Sequence, residues 1–309
     1  MLRFTLRQLE YFVAVGDTGS IAKASERVNV SSPSISAAIT QLEEEFGLPL
    51  FVRQHAQGLS LTQAGREMLE QARTVLREAS ALVDVAGGIS GEARGPISIG
   101  CFTTLAQVML PTLRKSFEQA HPDVRVVQVE LDQVEIFNAL RRSEIDAALT
   151  YDLQIPADLN FTPLIELPPF VIVNEDHPLA GRKRVSINDL VTLPMVLLDL
   201  PHSADYFLSI FDTRPHVTER TRDMAVMRSL VGSGYGYSIA NVRPLNARSP
   251  DGQPLQFIEI EEDVRALRLG VVTAQDAAKT HTVGAFLEHT RALVADRALP
   301  GIGSARDLG

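Results

Sequence analysis

The chain has 309 residues, of which 45% are hydrophobic and 22% charged, and it carries a net charge of −9 at pH 7. This length and composition are typical of a globular protein with two or three domains. The negative charge argues against indiscriminate coating of nucleic acid, and no run approaches the roughly 18 apolar residues that span a bilayer. Because Arg3, Arg7 and Glu10 interrupt the N-terminus, we expect no signal peptide, no membrane segment and a cytoplasmic protein.

Between Ser20 and Arg53 the sequence predicts two short helices, a tight turn and the start of a hairpin. Ser32 is the expected N-cap of the second helix, Pro33 suits its first position, and Gly47 ends it. One side of this helix is apolar at positions i, i+4, i+7 and i+11, which are Ile35, Ile39, Leu42 and Phe46. That side is therefore expected to pack against the rest of its domain.

The opposite face of the second helix carries small and hydroxyl-bearing side chains. Such side chains permit a close approach to phosphates and base edges, as in the recognition helix of a helix-turn-helix protein. The alternative is a pair of amphipathic helices packed within any α-helical domain, because this periodicity alone is a weak signal. The residues of this face that we predict to approach DNA are Ser32, Pro33, Ser34, Ser36, Ala37 and Thr40.

The charge of the N-terminal segment opposes the DNA-binding hypothesis. Residues 1–90 hold 8 Lys and Arg against 10 Asp and Glu, whereas neutralisation of phosphates supplies much of the affinity for DNA. Glu43, Glu44 and Glu45 are expected at the far end of the second helix, away from the groove. The difficulty is smaller if these acids do not face the phosphates.

Several motifs nevertheless occur together in the order of a known family. They are LEYFVAV at 9–15, SSPSIS at 31–36, ITQLE at 39–43, LFVR at 50–53 and LTQAG at 61–65. Together they resemble the N-terminal domain of LysR-type transcriptional regulators. The resemblance implies a winged helix-turn-helix domain over residues 1–61, with a wing formed by 50–53 and 58–61 and with Arg53 holding phosphate.

Residues 62–90 are predicted to form a long linker helix. Its apolar residues recur at intervals of four and three, the pattern of a coiled-coil seam, and no nearby segment is expected to cover them. In the resembled family this helix joins two subunits. The predicted dimerisation residues are Met68, Ala72, Val75, Ala79 and Leu82.

Glycines between 87 and 95 predict a flexible break, after which short strands alternate with helices. The strands are expected at 97–102, 124–131, 145–149, 170–174, 195–199, 237–240, 255–260 and 267–273. The helices are expected at 103–120, 133–142, 204–211, 223–232 and 280–296. This alternation predicts a parallel, doubly wound sheet.

Residues 91–309 resemble the effector-binding region of the same family, which is built like a periplasmic binding protein. The predicted fold is thus α/β with an N-terminal all-α winged helix-turn-helix domain and a C-terminal two-lobed periplasmic-binding-protein-like α/β domain. Lobe I is expected at about 96–165 and 271–300, and lobe II at about 166–270. Ala240-Asn241 departs from the apolar pair ending in proline that many members carry.

In such sheets ligands bind beyond the carboxyl ends of the strands. Thr103 and Thr104 lie between the first strand and its helix, and helix capping alone is the alternative role for both. Because the cleft carries acidic residues, the sequence does not decide whether the effector is a polar aromatic acid, a neutral molecule or an amine. The predicted effector-binding residues are Thr103, Thr104, Asp132, Gln133, Tyr151, Pro201, His202 and Ser203.

Other function classes have less support. We find no catalytic constellation, no histidine pattern typical of a metal site and no cofactor motif, and Gly232–Gly236 fits neither a phosphate loop nor a nucleophile elbow. The single cysteine, Cys101, excludes an intramolecular disulfide. Two alternatives remain: a thiol-responsive regulator that uses Cys101, and a solute-binding or enzymatic α/β protein without DNA binding.

The sequence is therefore identified as a member of the LysR-type regulators. The partners that this resemblance implies are double-stranded promoter DNA with an interrupted dyad, a small-molecule effector, further copies of the same chain in a dimer or tetramer, and RNA polymerase. No membrane partner is expected.

Overall fold

The computed structural model describes residues 3–54, 58–90, 93–275 and 280–302, with backbone alone at 53, 54, 58, 77, 80, 81 and 83–90. The chain divides into two compact units, residues 1–86 and 87–309. The elements of the first unit are α1 (Leu6–Thr18), α2 (Ile21–Val28), α3 (Ser32–Phe46), β1 (Phe51–Gln54), β2 (Gly58–Leu61) and the greater part of α4 (Gln63–Ser90).

The first three helices of this unit begin at side-chain caps and end at residues in the left-handed region. Thr5, Ser20 and Ser31 each accept a hydrogen bond from a backbone amide of the first turn. Gly19, Asn29 and Gly47 close the helices with positive φ angles. The helices bury one continuous core, which includes Phe12, Val15, Ala24, Ile35, Leu42 and Leu50.

The N-cap of α3 differs from the expected residue. Ser31, not Ser32, has extended backbone angles, and its side chain accepts from the amide of Ser34. Ser32 is already helical, and Pro33 follows it within the first turn. Both serines suit a cap chemically, so the sequence could not distinguish them.

In the second unit the elements in chain order are β3 (Gly95–Phe102), α5 (Thr103–Ala106), α6 (Leu110–Ala120), β4 (Val124–Leu131), α7 (Gln133–Arg141), β5 (Ala147–Tyr151), β6 (Leu159–Leu167), β7 (Phe170–Asn174), β8 (Arg184–Val185), α8 (Ile187–Leu190), β9 (Met195–Leu198), α9 (Ser203–Ser209), β10 (Val217–Thr221), α10 (Met224–Gly232), β11 (Ser238–Ala240), β12 (Leu255–Ile260), β13 (Leu267–Ala274) and α11 (His281–Ala295).

These strands form two main sheets, one in each lobe. Lobe I contains the five-stranded sheet β4-β3-β5-β13-β6, and lobe II contains the four-stranded sheet β11-β7-β12-β8 together with the parallel pair β9 and β10. The prediction of a parallel sheet is wrong in part. Although β3 pairs in parallel with β4 and β5, β13 runs antiparallel to both β5 and β6.

Several elements were missed or merged at the sequence level. The strand β6 contains Pro163, and its pairing with β13 is irregular between Leu269 and Gly270. The single helix expected at 103–120 is two helices, because a new helix starts at Leu110 with Pro111 in its first turn. The helix α4 continues past Gly87 and Gly88, where the flexible break was expected to begin, and ends at Ser90, the expected end of the linker helix.

Candidate DNA-binding and effector-binding sites

The recognition face of α3 is separated from the core as its periodicity predicts. Ile35, Ile39 and Leu42 are buried, and Ala38 lies beside them. On the other side Pro33, Ser34, Ala37 and Thr40 are exposed, and Ser32 and Ser36 are half-buried. The six residues therefore share one accessible face of small side chains.

Two hydroxyl groups of this face have partners within the helix. The hydroxyls of Ser31 and Ser34 lie 2.8 Å apart, and Thr40 Oγ1 donates to the Ser36 carbonyl at 3.1 Å. Both groups keep free acceptor capacity and can rotate. The face thus offers short, adaptable polar groups and no long side chain for bidentate contact with a base.

Glu43 fixes the wing to the far end of α3, a structural role that the sequence did not predict. Glu43 Oε1 accepts from the amides of Leu50 at 2.8 Å and Phe51 at 3.2 Å. The β2 residue Leu59 donates from its amide to the carbonyl of Gly19 at 3.0 Å. These bonds hold the hairpin in a set position relative to α3.

Basic residues of the first unit are only partly described. The side chain of Arg53 and the wing tip at 55–57 lie outside the described part of the chain, so the phosphate contact of Arg53 stays a prediction. Lys23 is exposed in the first turn of α2. Since the first helix of a helix-turn-helix crosses the DNA backbone, Lys23 is a phosphate-contact candidate that belongs to none of the sequence motifs.

The predicted dimerisation residues of α4 divide into two groups. Ala72 is buried in the core of its own unit, and Met68 packs against that core. The expectation that no part of the chain covers this seam is therefore wrong at its N-terminal end. Val75 is exposed, Ala79 is half-buried, and Leu82 is 72% exposed. Met68 is half-buried like Ala79, so Ala72 is the one predicted dimerisation residue with no surface left for contact with another chain.

The threonines at the start of α5 do not act as helix caps. The N-cap of this short helix is Phe102, and no side chain caps it. Thr103 Oγ1 is buried without a hydrogen-bond partner in the described structure, and Thr104 is buried beside Tyr151. Burial raises the pKa of Tyr151, and the neighbouring Thr104 hydroxyl opposes that shift. The capping alternative for Thr103 and Thr104 is thus excluded.

Gln133 differs from the role predicted for it, because its amide is fully used within lobe I. Its Nε2 donates to the carbonyls of Tyr151 and Leu153, both at 3.1 Å. Its Oε1 accepts from Thr150 Oγ1 at 2.5 Å, and the side chain is completely buried. Gln133 therefore ties α7 to the end of β5, and its completely buried side chain presents no surface to a ligand.

Asp132 caps α7 and also reaches lobe II. Its Oδ1 accepts from the amide of Glu135 at 3.0 Å, and the amide of Asp132 donates to Glu135 Oε2 at 2.8 Å, which completes a capping box. Its Oδ2 accepts from Nη2 of Arg222 at 2.8 Å. Arg222 was not among the predicted residues, because 90 positions separate it from Asp132.

The predicted lobe II residues lie at the start of α9. His202 has φ +62°, an uncommon value for a residue other than glycine, and its ring centroid lies 6.5 Å from that of Phe137 on α7 of lobe I. Ser203 is buried, and its amide donates to the Pro201 carbonyl at 2.8 Å. The two lobes are thus in contact at this loop and at the Asp132–Arg222 pair.

Cys101 lies within β3 and is completely buried. Burial, followed by the charge of Glu130, raises the pKa of the thiol, so it is protonated at neutral pH. Within the ranges that the structure covers, no group of three His, Cys, Asp or Glu residues is arranged to hold a metal ion. Among the same residues no helix has both the length and the apolar character to cross a membrane.

A winged helix-turn-helix unit joined by a long helix to a two-lobed α/β unit defines a ligand-responsive transcriptional regulator. Two family models match the chain: "Bacterial regulatory helix-turn-helix protein, lysR family" at residues 6–66 and "LysR substrate binding domain" at residues 90–295. The chain belongs to the LysR family of transcriptional regulators, and its second unit is the effector-binding domain of that family.

Known proteins resemble the chain over most of its length. HinK, a LysR family transcriptional regulator from Pseudomonas aeruginosa, is 32% identical, with a TM-score of 0.63 and coverage of 94% of this chain and 99% of HinK. The HTH-type transcriptional regulator YvbU of Bacillus subtilis is 29% identical over 81% of this chain and 84% of its own. A hydrogen peroxide-inducible genes activator of Dickeya chrysanthemi is 29% identical over 76% and 78%.

Proposed function

We propose that this LysR-family regulator acts in the cytoplasm, binds promoter DNA as a dimer or a tetramer, and changes its DNA complex when a small molecule binds between the lobes of its second unit. The observation that carries the proposal is the pair of interlobe contacts, Asp132–Arg222 and Phe137–His202, beside the buried and unpartnered Thr103 hydroxyl. Together they make this cleft a polar site whose closure a ligand can bias.

The DNA-binding part of the proposal assigns α3 to the major groove. Ser32, Pro33, Ser34, Ser36, Ala37 and Thr40 form the face that approaches the bases. Because the face carries short side chains and Ala37 adds no polar group, shape readout contributes a large part of the specificity. Arg53 on the wing and Lys23 on α2 supply phosphate contacts, while Glu43 at the end of α3 accepts from the amides of Leu50 and Phe51 at the start of the wing.

The dimer part of the proposal uses α4 beyond the core of the first unit. Val75, Ala79 and Leu82 follow each other at four and three residues, so they lie on one side of the helix. The exposure of Val75 and Leu82 supports a contact with the equivalent helix of a second chain. A contact with RNA polymerase is a further prediction of family membership.

The effector part of the proposal assigns Thr103, Thr104, Tyr151 and the Pro201–Ser203 loop to the ligand, while Asp132 acts through its pair with Arg222. The Thr103 hydroxyl has unsatisfied hydrogen-bonding capacity, and a buried polar group without a partner is unfavourable unless a ligand or water completes it. A ligand that bonds to both lobes therefore favours the closed arrangement over the open one.

The thiol-responsive alternative draws on the likeness to the hydrogen peroxide-inducible activators. Cys101 is the single cysteine, and its burial and raised pKa oppose reaction with an oxidant. We expect Cys101→Ser to retain regulation in a promoter-reporter assay under both oxidising and reducing conditions. Loss of the response in this variant, with DNA binding intact, would favour the thiol mechanism.

The proposed function is tested with the purified full-length chain and small-molecule ligands found by thermal-shift screening. We expect a stabilising ligand to change the footprint or the bend angle of bound promoter DNA. A ligand that raises the melting temperature and leaves both unchanged would contradict the coupling. Turnover of the ligand would support the enzymatic alternative instead.

A further inference from the structure

Asp17 occupies a position that is unfavourable for an acidic residue within its own helix. It lies in the last turn of α1, where the carbonyl groups form the negative end of the helix dipole, and this turn contains no basic residue. Its carboxylate must therefore be stabilised by groups outside α1. Two arginines from two other helices do so.

Each oxygen of the Asp17 carboxylate has a different arginine partner. Oδ2 accepts from Nη1 of Arg27 on α2 at 3.0 Å, and Oδ1 accepts from Nη2 of Arg73 on α4 at 2.5 Å. The Arg73 guanidinium also binds Glu70 Oε1 through Nη1 at 2.6 Å. The Asp17 carboxylate thus connects α1, α2 and the linker helix α4.

The link to α4 is the better protected of the two. The side chains of Asp17 and Arg73 are 16% and 9% exposed, whereas that of Arg27 is 58% exposed. Because solvent and salt screen exposed charges most strongly, the Asp17–Arg73 pair is screened less than the Asp17–Arg27 pair. Arg73 is held between two carboxylates, so its guanidinium has one preferred orientation.

A close packing contact lies directly beside this ion pair. An alanine Cβ at Gly16 would stand 2.8 Å from Cδ1 of Leu69, so the helices α1 and α4 approach closely here because residue 16 has no side chain. Leu69 is buried in the core of the unit, while Leu82, further along α4, is exposed. The turn of α4 from Leu69 to Arg73 is therefore the joint between the helix-turn-helix and the linker helix.

The length of α4 makes the angle at this joint important. From Arg73 to Ser90 the helix continues for about 17 residues, or roughly 26 Å at 1.5 Å per residue. A change of about 10° at the joint would displace the far end by roughly 4 to 5 Å, which exceeds the rise of one base pair of about 3.4 Å. A dimer built on α4 would transmit such a change to the separation of its two recognition helices.

We propose that Asp17 is a positioning residue for DNA binding: through Arg73 it fixes the angle between the linker helix and α1, and thereby the spacing between half-sites that the dimer accepts. This inference rests on the proposed function, because it requires a dimer that binds two half-sites. The carboxylate of Asp17 is bound to Arg27 and Arg73, so the inference assigns it no contact with DNA. Its effect is on geometry and not on the affinity of a single winged helix for one half-site.

The test uses the full-length chain and a DNA duplex that the wild type selects from a random pool. Two further sets of duplexes are derived from it, one with a half-site scrambled and one with one to three base pairs inserted between the half-sites. Asp17→Asn removes the charge with almost no change in shape. Glu70→Gln is the matched control, because it removes the other carboxylate bound to Arg73 and leaves the joint to α1 in place.

We expect Asp17→Asn to bind the single half-site within about twofold of the wild type, to bind the complete site about tenfold more weakly, and to lose most of its discrimination against inserted base pairs. Glu70→Gln is expected to match the wild type in its binding of the single half-site, its binding of the complete site and its discrimination against inserted base pairs. Equal losses on the single and complete sites would overturn the inference, and so would an unchanged spacing preference. If no duplex is selected by the wild type, the proposed function itself fails.

A second variant covers the case in which Asp17→Asn does not fold, as judged by circular dichroism. Arg73→Lys keeps a positive charge but cannot bridge two carboxylates with a planar fork. We expect it to remain folded and to relax the spacing preference by an intermediate amount, with normal binding of the single half-site. A wild-type spacing preference in Arg73→Lys, together with a folded protein, would also overturn the inference.

Discussion

Nη2 of Arg222 donates a 2.8 Å hydrogen bond to Oδ2 of Asp132, and this bond joins lobe II to lobe I. The two partners differ in environment, because the side chain of Asp132 is 9% exposed and that of Arg222 is 68% exposed. Separation of the lobes would leave the carboxylate in its buried cap position without a cation, whereas Arg222 would be hydrated readily. The pair therefore favours the arrangement in which the two lobes are in contact, because the Asp132 carboxylate needs Arg222 as its cation partner.

The first prediction concerns this pair. Arg222→Gln removes the cation from a buried carboxylate, so we expect a loss of about 1 to 2 kcal/mol in the free energy of unfolding and a larger radius of gyration of the ligand-free protein. Arg220→Gln is the control, because its partner Asp199 is much more exposed than Asp132. Urea unfolding and small-angle X-ray scattering measure both effects. Equal results for the two variants would show that the interlobe pair has no special role.

The second prediction concerns the recognition face of α3. Ser36→Glu places a negative charge opposite the phosphates and is expected to reduce specific DNA binding by at least about a hundredfold, with an unchanged circular dichroism spectrum. Gln71→Glu, an exposed substitution on α4 with the same change of charge, should bind normally. Retention of specific binding by Ser36→Glu would mean that another face of the unit meets the DNA.

The third prediction concerns the effector cleft. Thr104→Val removes a buried hydroxyl with little change of shape, and the loss of one hydrogen bond to a ligand should raise the ligand concentration at half-response by about three- to tenfold. DNA affinity without ligand should not change. Titration of DNA binding with a ligand found by thermal-shift screening measures both quantities. An unchanged midpoint would remove Thr104 from the site, and Tyr151→Phe would then test the neighbouring hydroxyl.

The fourth prediction compares two helical glycines. A Cβ at Gly65 would collide with the carbonyl oxygen of Leu50, whereas a Cβ at Gly284 would meet no atom within 4 Å. Gly65→Ala should therefore destabilise the first unit by about 2 to 3 kcal/mol, because the wing must move. Gly284→Ala should stabilise the second unit by about 0.5 to 1 kcal/mol through its higher helix propensity. Urea unfolding that gives the same sign for both would contradict the packing.

The fifth prediction concerns pH. Burial, and next the charge of His121, lowers the pKa of His289, whose ring nitrogen lies 2.7 Å from the Ser116 hydroxyl. The unfolded chain takes up this proton near pH 6.5, before the folded chain does. The free energy of unfolding should therefore fall as pH drops below about 6.5 and should be level between about pH 7 and 8. His289→Gln should weaken this dependence of the unfolding free energy on pH. Part of the dependence should remain, because burial also lowers the pKa of His177. An unchanged slope would mean that His289 is not the source.

The sequence predicted elements that have strong local patterns. The bounds of β4, β7 and β12 agree with the structure, because runs such as FVIVN permit few other conformations. The strand β6 was missed, since Pro163 and polar residues interrupt it. The antiparallel place of β13 was also missed, because it depends on how the chain returns from lobe II.

In the candidate sites, too, the features with a local sequence pattern were predicted and those that depend on distant parts of the chain were not. The exposed face of α3 was predicted correctly as an accessible surface from helical periodicity. Gln133 was predicted as a ligand contact because it follows a strand, yet its bonds to Thr150 and Leu153 satisfy it internally. Arg222 and Arg73 could not be predicted as partners of Asp132 and Asp17, because those pairs connect distant parts of the chain and leave no local pattern.

The most direct test of the account is a footprint of the purified full-length protein on the DNA upstream of its own gene. We predict protection of an interrupted dyad, with two protected half-sites on one side of the duplex and a change in the region between them when ligand is added. A folded dimer that gives no protection at modest salt would contradict the assignment of α3 and the wing to promoter DNA.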